Sequence, residues 1–528
     1  MSELVHHPRC VSVAEMVAVE RAADAGVLSY AQMMEKAGRS LAECVSDAYS
    51  QIGNKSCVGL VGKGNNGGDT LIALEWLAVS GWQTAACITG RAADDALVNR
   101  LRTAGGKILS LELEQGFEEL EEEVERCGLL LDGLLGTGTR LPLRDPMPQI
   151  LQSVKGALQS ASTKPIVVAV DCPSGVDCDS GEAAPETLVA DLTVCMAAVK
   201  RGLLTLPAFG YVGRLEVVSI GLPDGFEPLA SLTRRVMTAS MAGEMLPNRP
   251  LDSHKGTFGR AMIVGGSRNY AGAPLLAGKA AFRSGAGWVT LAVPEPLQLP
   301  LAGHFPEATW LPLPHKDHYL SPDAVATLLA ALERVTGLLV GPGLGRTPAT
   351  AAFLTGLLAE SSLPPLVLDA EALRLLAGMN SWGKRLPNGT ILTPHPGEMA
   401  DLTGLTAEEI QLDRLGAAER YALEWNCVVV LKGAFTLIAA PDGRTTVIPV
   451  ATPALARAGT GDVLAGIITG LLAQRMPPFE AASAGAWLHG QAGLAAAQRL
   501  GSTAAVMAGD LVNELPGVMA VTGKAIQL

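Results

Sequence analysis

Short apolar runs that end in glycine-rich turns recur along the chain, and helical stretches lie between many of them. In the first half, sequence of helical character covers 15–25, 30–46 and 70–79. The repeated order of strand, crossover helix and strand predicts an α/β fold, with a mostly parallel sheet and helices on both of its faces. The strands that we predict in this half are 57–61, 129–132, 166–170, 192–196 and 215–220.

A break in this pattern divides the chain. Pro223, Gly225 and Pro228 interrupt helix and strand within 221–230, so we place a linker there. Single hydrophobic cores stop growing at roughly 250–300 residues, and a chain of 528 residues therefore predicts two domains, 1–225 and 231–528. In the second domain we predict strands at 260–265, 288–293, 337–340, 366–369, 391–393, 427–431 and 436–440, with the last two forming a hairpin.

Composition excludes several classes of protein. Hydrophobic residues make up 48% of the chain, which is enough for buried cores and excludes a mostly disordered protein. The net charge of −12, without a basic stripe, argues against nucleic acid as a partner. The uncharged segment 481–498 is rich in Ala and Gly, which favours a buried helix over a membrane span, and the acidic run 112–125 predicts a solvated helix face. We therefore expect small-molecule partners, with no nucleic acid and no membrane.

The nine cysteines form no Cys-x-x-Cys pair and show no metal-ligand spacing with histidine. Free thiols in a reducing cytoplasm fit this pattern best. Alanine-rich helices could serve subunit contacts as well as cores, so a homo-oligomer stays open.

The first glycine-rich turn joins the predicted strand 57–61 to a helix that we expect to begin near Thr70. Such a turn lets backbone N–H groups approach an anion beside a helix N-terminus, although a purely structural turn also uses Gly and Asn. The residues of the turn are Lys63, Gly64, Asn65, Asn66, Gly67, Gly68 and Asp69.

Two more strand ends in the first domain carry aspartates, Asp132 and Asp171. Ligands of open α/β sheets bind beyond the carboxyl ends of the strands, so these polar ends favour a common pocket over separate helix caps. Asn66, Asp132 and the region of Ser174 also supply hard oxygen ligands, which suit an alkali cation rather than zinc.

The motifs NNGGD, DGLLGTGT and DCPSGVD, with Lys200 after ADLTVCMAAVK, resemble those of the NAD(P)H-hydrate epimerase domain over most of 1–225. The resemblance implies a Rossmann-like three-layer sandwich that interconverts the R and S forms of hydrated NADH or NADPH. It also implies K⁺ held by Asn66, Asp132 and Ser174, and the chemistry fits Asp171 as the proton shuttle. The implied substrate contacts are Asn65, Asn66, Gly67, Gly68, Asp69, Gly136, Thr137, Gly138, Thr139, Arg140, Leu141, Pro142 and Asp171. Non-catalytic scaffold relatives, as in messenger-RNA decapping proteins, lack the catalytic aspartate and the glycine loop, which are both present here.

In the second domain, Gly459-Thr460-Gly461-Asp462 precedes the helical run 463–472. The N–H groups of such a loop can hold a transferring phosphoryl group while Asp462 acts as the base. This arrangement resembles the ribokinase-like α/β fold.

Further motifs are HKGTFG at 254–259, GPGLG at 341–345, TPHPGE at 393–398 and KGA at 432–434. Together they are similar to the nucleotide-dependent NAD(P)H-hydrate dehydratase over roughly 235–520. The resemblance implies ADP in the bacterial form, or ATP in the eukaryotic form, as phosphoryl donor, with Mg²⁺. The implied contacts are Lys432, Gly433, Ala434, Phe435, Thr436 and Gly461 for the nucleotide, and Ala273, Gly343, His395 and Asp462 for the hydrated cofactor. Lys255 and Asp369 are candidate ligand or loop residues, and Glu371 stands where the family usually has Asp.

These expectations combine into a bifunctional enzyme for nicotinamide-nucleotide repair, in which an epimerase supplies the S hydrate to a dehydratase. Phosphorylation would turn the hydrate hydroxyl into a good leaving group, and the ring nitrogen would expel phosphate. The alternative is a ribokinase-fold small-molecule kinase fused to a nucleotide-binding scaffold domain.

Overall fold

The computed structural model describes residues 5–111 and 117–522, which form two compact units, 1–234 and 235–528. The boundary falls shortly after the segment in which we placed the linker. The short strand β10 (Arg234–Val236) spans this boundary.

The first unit alternates strands and helices, as its sequence predicts. Its strands are β1 (Arg9–Val11), β2 (Ser56–Val61), β3 (Gln83–Ile88), β4 (Lys107–Ser110), β5 (Leu129–Gly133), β6 (Ile166–Val170), β7 (Leu192–Met196), β8 (Ala198–Lys200) and β9 (Arg214–Val218). Its helices are α1 (Val13–Asp24), α2 (Tyr30–Ala48), α3 (Asn65–Val79), α4 (Ala96–Thr103), α5 (Glu118–Arg126), α6 (Met147–Ser160), α7 (Phe209–Val212) and α8 (Glu227–Ala230).

Seven of these strands form one sheet in the order β4-β3-β2-β5-β6-β7-β9, and every neighbouring pair in it is parallel. The sheet is covered on both faces, because alternate residues of β2 enter different core clusters. Cys57 and Val61 pack into one cluster, while Val58 and Leu60 pack into the other. This arrangement confirms the predicted parallel sheet between two helical layers.

The second unit continues the alternation. Its strands are β11 (Arg260–Val264), β12 (Trp288–Pro294), β13 (Thr309–Leu313), β14 (His315–Lys316), β15 (Tyr319–Leu320), β16 (Gly337–Val340), β17 (Leu366–Leu368), β18 (Ile391–Leu392), β19 (Val428–Leu431), β20 (Leu437–Ala439) and β21 (Thr445–Val447). Its helices are α9 (Ala239–Met245), α10 (Ala273–Arg283), α11 (Glu295–Ala302), α12 (Ala324–Ala330), α13 (Pro348–Leu357), α14 (Glu371–Ala377), α15 (Pro396–Thr403), α16 (Ala407–Leu412), α17 (Arg414–Trp425), α18 (Thr460–Ala473), α19 (Pro478–Leu500) and α20 (Ala508–Thr522).

In its main sheet, neighbours follow the order β13-β12-β11-β16-β17-β18-β19-β20-β21. The pairs from β13 to β19 are parallel, whereas β19, β20 and β21 pair antiparallel, so the predicted hairpin is confirmed. Parallel order brings the carboxyl ends of β11, β16, β17, β18 and β19 to one edge, and the motif residues follow these ends.

Two glycines allow α10 and α18 to pack closely in this unit. A β-carbon at Gly466 would lie 2.2 Å from the carbonyl oxygen of Ala277, and one at Gly470 would lie 2.5 Å from that of Ala281. The contact places the beginning of α10 next to the beginning of α18, where the motif Gly459-Thr460-Gly461-Asp462 lies.

Predictions outside the sheets have mixed outcomes. The segment 481–498 lies in the buried helix α19, as expected. The acidic run forms α5, with Leu120 and Val124 buried and most of its glutamates exposed, but its first part, 112–116, lies outside the described residues. All nine cysteines are buried, and none of them forms a disulfide. Within the described ranges we find no helix with the length and apolar character needed to span a membrane.

Candidate active sites

The NNGGD motif forms the first turn of α3 in the first unit, so our prediction of a loop up to Thr70 is wrong. Close packing explains the glycines within this helix. A β-carbon at Gly67 would lie 2.0 Å from the carbonyl oxygen of Gly62, and one at Gly68 would lie 2.5 Å from the sulfur of Met34. The N-terminus of α3 therefore lies directly against the end of β2.

Asn66, Asp132 and Ser174 meet around the backbone of Leu135. The side-chain amide of Asn66 donates to the carbonyl oxygens of Leu135 (3.1 Å) and Val170 (2.6 Å). The Leu135 N–H donates to Ser174 Oγ (2.9 Å), and Ser174 donates from its hydroxyl to Asp132 Oδ1 (2.5 Å) and from its backbone N–H to Oδ2 (2.9 Å). The three predicted cation ligands are thus brought together.

The Asp132 carboxyl is fully buried, and in the described chain no lysine, arginine or histidine forms an ion pair with it. Burial raises the pKa of Asp132, although the hydrogen bonds from Ser174 oppose this shift. The Asn66 amide uses its nitrogen as a donor, and its oxygen faces Gly136, where a β-carbon would lie 2.6 Å away. Asp132 and Asn66 therefore offer oxygens that could hold a cation.

Asp171 follows β6 and forms a buried ion pair with Lys200 at the end of β8. The Oδ1 atom of Asp171 accepts hydrogen bonds from Lys200 Nζ and from the Met196 N–H (2.8 Å). No described residue donates to Oδ2, which leaves that oxygen available to a ligand. The positive φ of Asp171 (65°) is uncommon outside glycine, and such strained residues concentrate at functional sites.

Lys200 is a functional candidate to which we had assigned no role beyond its place in a motif. Its side chain is 1% exposed, and Nζ also donates to the carbonyl oxygens of Met196 and Ala198, both at 3.2 Å. Burial by itself would lower the pKa of Lys200, but the Asp171 carboxylate outweighs it and raises that pKa. Lys200 therefore keeps its charge and holds Asp171 in place.

Two further carboxyl groups interact with this pair. Burial first, and the charge of Asp171 second, raise the pKa of Asp69 well above its ordinary range. Burial also raises the pKa of Glu20 on α1, where Lys200 acts in the opposite direction. Glu20 was missed because its helix looked like an ordinary amphipathic one. The pocket therefore combines the Asp171–Lys200 ion pair with carboxyl groups that burial pushes toward the protonated form.

The segment 136–142 follows β5 and is more open. Thr139 closes a turn by donating from its backbone N–H (3.0 Å) and its hydroxyl (2.7 Å) to the Gly136 carbonyl oxygen. A β-carbon at Gly138 would meet open space, and Arg140 is exposed. Of these predicted contact residues, Arg140 and Pro142 are exposed, whereas Thr139 is buried.

In the second unit, Lys432, which follows β19, forms ion pairs with residues that follow β17 and β18. Its Nζ lies 2.8 Å from Asp369 Oδ1 and 3.5 Å from Glu398 Oε2. Asp369 also accepts a hydrogen bond from Thr393 Oγ1 (2.7 Å). Burial alone would lower the pKa of Lys432, but the Asp369 and Glu398 carboxylates raise it. Asp369 therefore belongs to the site, and Glu398 is a partner that we had not assigned.

Asp462 lies in the first turn of α18, which begins at Thr460 and not at 463 as we predicted. Gly459 precedes the helix with φ +89°, a conformation that favours glycine. Burial, and then the charge of Asp369, raise the pKa of Asp462 to about 7, although Lys432 opposes the shift. A β-carbon on Gly461 would lie 3.5 Å from Lys432 Nζ, so the ammonium group lies beside this helix N-terminus.

Two histidines are fixed at helix starts. His395 caps α15, because its Nδ1 accepts the N–H groups of Gly397 (3.0 Å) and Glu398 (3.3 Å). Burial lowers the pKa of His395, so at neutral pH its remaining proton is on Nε2. His489, which the sequence did not single out, places Nε2 2.9 Å from the Thr460 carbonyl oxygen, and burial lowers its pKa to about 4.

Ala273 and Gly343, two predicted contacts of the hydrated cofactor, lie against each other. Ala273 begins α10, and a β-carbon at Gly343 would lie 3.0 Å from the β-carbon of Ala273 and 2.5 Å from the Tyr270 carbonyl oxygen. Gly343 also has φ +66°. The position therefore requires glycine for both space and backbone conformation.

The predicted nucleotide loop, 432–436, follows β19. The Lys432 N–H donates to the Pro394 carbonyl oxygen (2.9 Å), and Thr436 Oγ1 donates to that of Gly433 (3.0 Å). Phe435 is buried with φ 54° and donates its N–H to Val450. These bonds tie the loop to the end of β18 and to the segment after β21.

Lys255 does not join this site. It lies before β11, and its Nζ is 4.5 Å from the ring of Trp288, which begins β12. A β-carbon at Gly287 would lie 1.9 Å from the Lys255 carbonyl oxygen. The motif HKGTFG therefore packs at the amino ends of the strands, opposite to the edge that carries Asp462.

Profiles of two protein families match the chain, each within one unit. The family described as "YjeF-related protein N-terminus" matches residues 30–202, and the family described as "NAD(P)H-hydrate dehydratase" matches residues 261–516.

Curated relatives match nearly the whole length. The protein named bifunctional NAD(P)H-hydrate repair enzyme Nnr from Moorella thermoacetica is 39% identical over 517 residues, which cover 96% of each chain. The protein of the same name from Salinibacter ruber is 39% identical over 510 residues and 92% of each chain. Among solved structures, the ADP/ATP-dependent NAD(P)H-hydrate dehydratase from Bacillus subtilis, co-crystallized with ATP and Mg²⁺, is 33% identical. It covers 54% of this chain and 98% of its own, with a TM-score of 0.47.

Proposed function

We propose, because the chain belongs to the family of bifunctional NAD(P)H-hydrate repair enzymes, that its two units perform two successive reactions on hydrated NADH and NADPH. Residues 1–225 would epimerise the R and S hydrates, and 231–528 would dehydrate the S form at the expense of ADP, giving AMP and phosphate. The family assignment confirms the resemblance that the motifs of both halves carried.

The observation that best supports epimerisation is the Asp171–Lys200 ion pair. Epimerisation opens the C–O bond of the hydrate, with a proton delivered to the departing oxygen, and closes it on the other face of the ring with a proton removed from water. Lys200 fixes one carboxylate oxygen of Asp171, and Oδ2 is free to take and return that proton. The substrate would lie between the start of α3, with Asn65–Asp69, and the segment 136–142.

The donor set of the first pocket fits potassium. Asn66, Asp132 and Ser174 offer an amide oxygen, a buried carboxylate without a cationic partner, and a hydroxyl. Among the described residues there is no cluster of three or more His, Cys, Asp or Glu side chains of the kind that binds transition metals. Bound K⁺ would neutralise Asp132 and tie together the segments that follow β5 and β6.

The raised pKa of Asp462 at the start of α18 is the observation that best supports dehydration. A base works best when its pKa lies near the working pH, and burial raises the pKa of Asp462 to about 7. Asp462 would remove the proton of the hydrate hydroxyl while that oxygen attacks the terminal phosphorus of ADP, and AMP would leave with the electrons of the broken P–O bond. The N–H groups at the start of α18 and the Lys432 ammonium would stabilise the phosphoryl charge.

The second half of dehydration then needs little from the protein. The ring nitrogen expels phosphate with the electrons of the C–O bond, and loss of a proton from the neighbouring carbon restores the dihydronicotinamide. His395 would present its Nε2–H to the substrate, and Ala273 and Gly343 would form the adjoining wall. ADP or ATP, with its Mg²⁺, would bind along 432–436. Nine cysteines without a disulfide support a cytoplasmic site of action.

The test is to incubate the whole chain with a mixture of both NADH hydrates, with and without ADP and Mg²⁺. We expect the absorbance of NADH to return only with the nucleotide, with one AMP and one phosphate formed per NADH. Consumption of both hydrates would report epimerisation. A stable phosphorylated product without NADH would refute the proposal in favour of a small-molecule kinase.

A further inference from the structure

The guanidinium group of Arg414 packs against the start of the loop 432–436, and the hydrogen bonds that it donates within the described residues go to uncharged acceptors. Arg414 begins α17, and its Nη2 donates to the carbonyl oxygens of Leu431 (3.2 Å) and Lys432 (3.4 Å). Nη1 donates to the Lys432 carbonyl oxygen (3.4 Å) and to Gln411 Oε1 (3.1 Å). These contacts satisfy donors but leave the positive charge uncompensated.

In the part of the chain that the structure describes, no aspartate or glutamate forms an ion pair with Arg414. Burial lowers the pKa of Arg414 to about 10, so the group is still charged at neutral pH. A partly buried charge without a counter-charge is unfavourable, and a protein retains one most readily where a ligand of opposite charge binds.

The nucleotide loop touches this charge directly. A β-carbon at Gly433 would lie 2.9 Å from Nη1 and 3.0 Å from Nη2 of Arg414, and Gly433 has φ +142°. The backbone of Gly433 therefore lies against the two terminal nitrogens of the guanidinium group, and its positive φ favours glycine there.

The other cation of this loop is already paired. Lys432 contacts both Asp369 and Glu398, so this group of three carries a net negative charge. The nearby Asp462 adds negative charge whenever it is ionised. A nucleotide carrying two phosphates would be repelled by these carboxylates unless another positive charge lay near its binding loop.

We propose that Arg414 is a positioning residue of the nucleotide site, which shapes the Lys432–Gly433 backbone from behind and supplies the unpaired positive charge that attracts the phosphates. The inference rests on the proposed function, because it takes ADP as the ligand of 432–436. Because the proposed role of Arg414 is electrostatic, its effect on nucleotide affinity should grow with the number of phosphates that the ligand carries.

Two variants separate the charge from the hydrogen bonds. Arg414→Gln keeps side-chain N–H donors for the carbonyl oxygens but removes the charge, and Arg414→Lys keeps the charge but loses the planar fork. Arg420→Met is the matched control, because Arg420 lies on the same helix and is exposed, and its charged group interacts with Glu424 (4.0 Å) and the Tyr421 ring.

The experiment measures adenosine, AMP and ADP binding to the whole chain by calorimetry, with KM for ADP and kcat for dehydration. For Arg414→Gln we expect unchanged adenosine binding, weaker AMP binding, and ADP binding and KM worse by roughly 10-fold or more, with a smaller change in kcat. Arg414→Lys should recover most of the ADP affinity, and the ADP affinity of the Gln variant should depend less on salt than that of the wild type.

Equal loss of adenosine and ADP binding in Arg414→Gln would overturn the inference, because it would show a collapsed loop and no effect of charge. Wild-type affinity for ADP in that variant would overturn it as well. If the wild-type chain itself does not bind ADP, the proposed function fails instead. Epimerisation, which depends on the first unit, should be unchanged in all variants and reports intact folding there.

Discussion

Replacing Asp462 by Asn should remove dehydration and, at neutral pH, stabilise the second unit. Burial raises the pKa of Asp462 from its ordinary 3.8 to about 7, so the folded unit resists ionising this group. One pKa unit corresponds to about 1.4 kcal/mol, so raising the pKa from 3.8 to about 7 amounts to roughly 4 kcal/mol. Asparagine has nearly the same shape and carries no charge at any pH.

The sign of the effect follows from proton binding. Between pH 4 and 7 the folded unit retains a proton on Asp462 that the unfolded chain has released, so raising the pH through this window destabilises the wild type. The Asn variant lacks this dependence. The stability advantage of the Asn variant over the wild type should therefore be near zero at about pH 4 and greatest above about pH 7. There the substitution should raise the unfolding temperature by on the order of 5 °C.

Calorimetric unfolding of the whole chain measures this effect, with the transition that ADP shifts upward taken as that of the second unit. Asp401→Asn is the matched control, because the Asp401 side chain is 45% exposed and its replacement should change little. Dehydration by Asp462→Asn should fall by about 10²–10⁴-fold while epimerisation is retained. If the stability advantage of Asp462→Asn over the wild type is absent at pH 8, or equal at pH 5 and pH 8, the raised pKa of Asp462 is refuted. Loss of epimerisation would refute the division of labour between the units.

Three further outcomes follow from the contacts in the two sites. Asp171→Ala should lower epimerisation by about 10²–10⁴-fold, so that dehydration of mixed hydrates stalls after one epimer is consumed. Chromatography that separates the two epimers measures this, and rapid consumption of both would contradict the role of Asp171. Asn66→Ala should give a milder stall that added KCl partly reverses, whereas an equal response to NaCl would argue against a specific potassium site. His395→Asn can still cap α15, so it should keep the wild-type unfolding temperature while KM for the hydrate rises. His395→Ala should raise KM and also lose about 1 kcal/mol of stability. Equal stability of the two variants would show that the cap contributes nothing.

The strands that the sequence predicted well are those with continuous Val, Leu and Ile, such as β6 (Ile166–Val170), because a strand buried on both faces must be apolar throughout. The strands that it missed carry weaker signals. β3 (Gln83–Ile88) is QTAACI and β4 (Lys107–Ser110) is KILS, and only their pairing with β2 and with each other makes them strands. Composition alone could not indicate these neighbours.

The starts of α3 and α18 were predicted too late for one physical reason. Gly and Asn have low helix propensity, so NNGGD and GTGD look like loops when only local sequence is considered. In the fold, α3 begins at Asn65, and position 67 must be glycine because a β-carbon would collide with Gly62, so tertiary packing overrides local propensity. Lys200 and Arg414 were harder still, because their partners lie 29 and 17–18 residues away and local sequence shows neither contact.

Both units place a buried lysine against an aspartate at a strand end, but the aspartate that the lysine neutralises differs in its role. In the first unit Lys200 pairs with Asp171, the group proposed to move the proton, and so holds it in position. In the second unit Lys432 pairs with Asp369 and Glu398, and Asp462 remains outside these ion pairs, so burial can raise its pKa to about 7. A held carboxylate suits a step in which a proton is taken and returned in place, and a titrating one suits a base that must release its proton to solvent after each phosphoryl transfer. Similar lysine–aspartate pairs therefore serve two chemistries, according to whether the reactive carboxyl group lies inside the pair, as Asp171 does, or beside it, as Asp462 does.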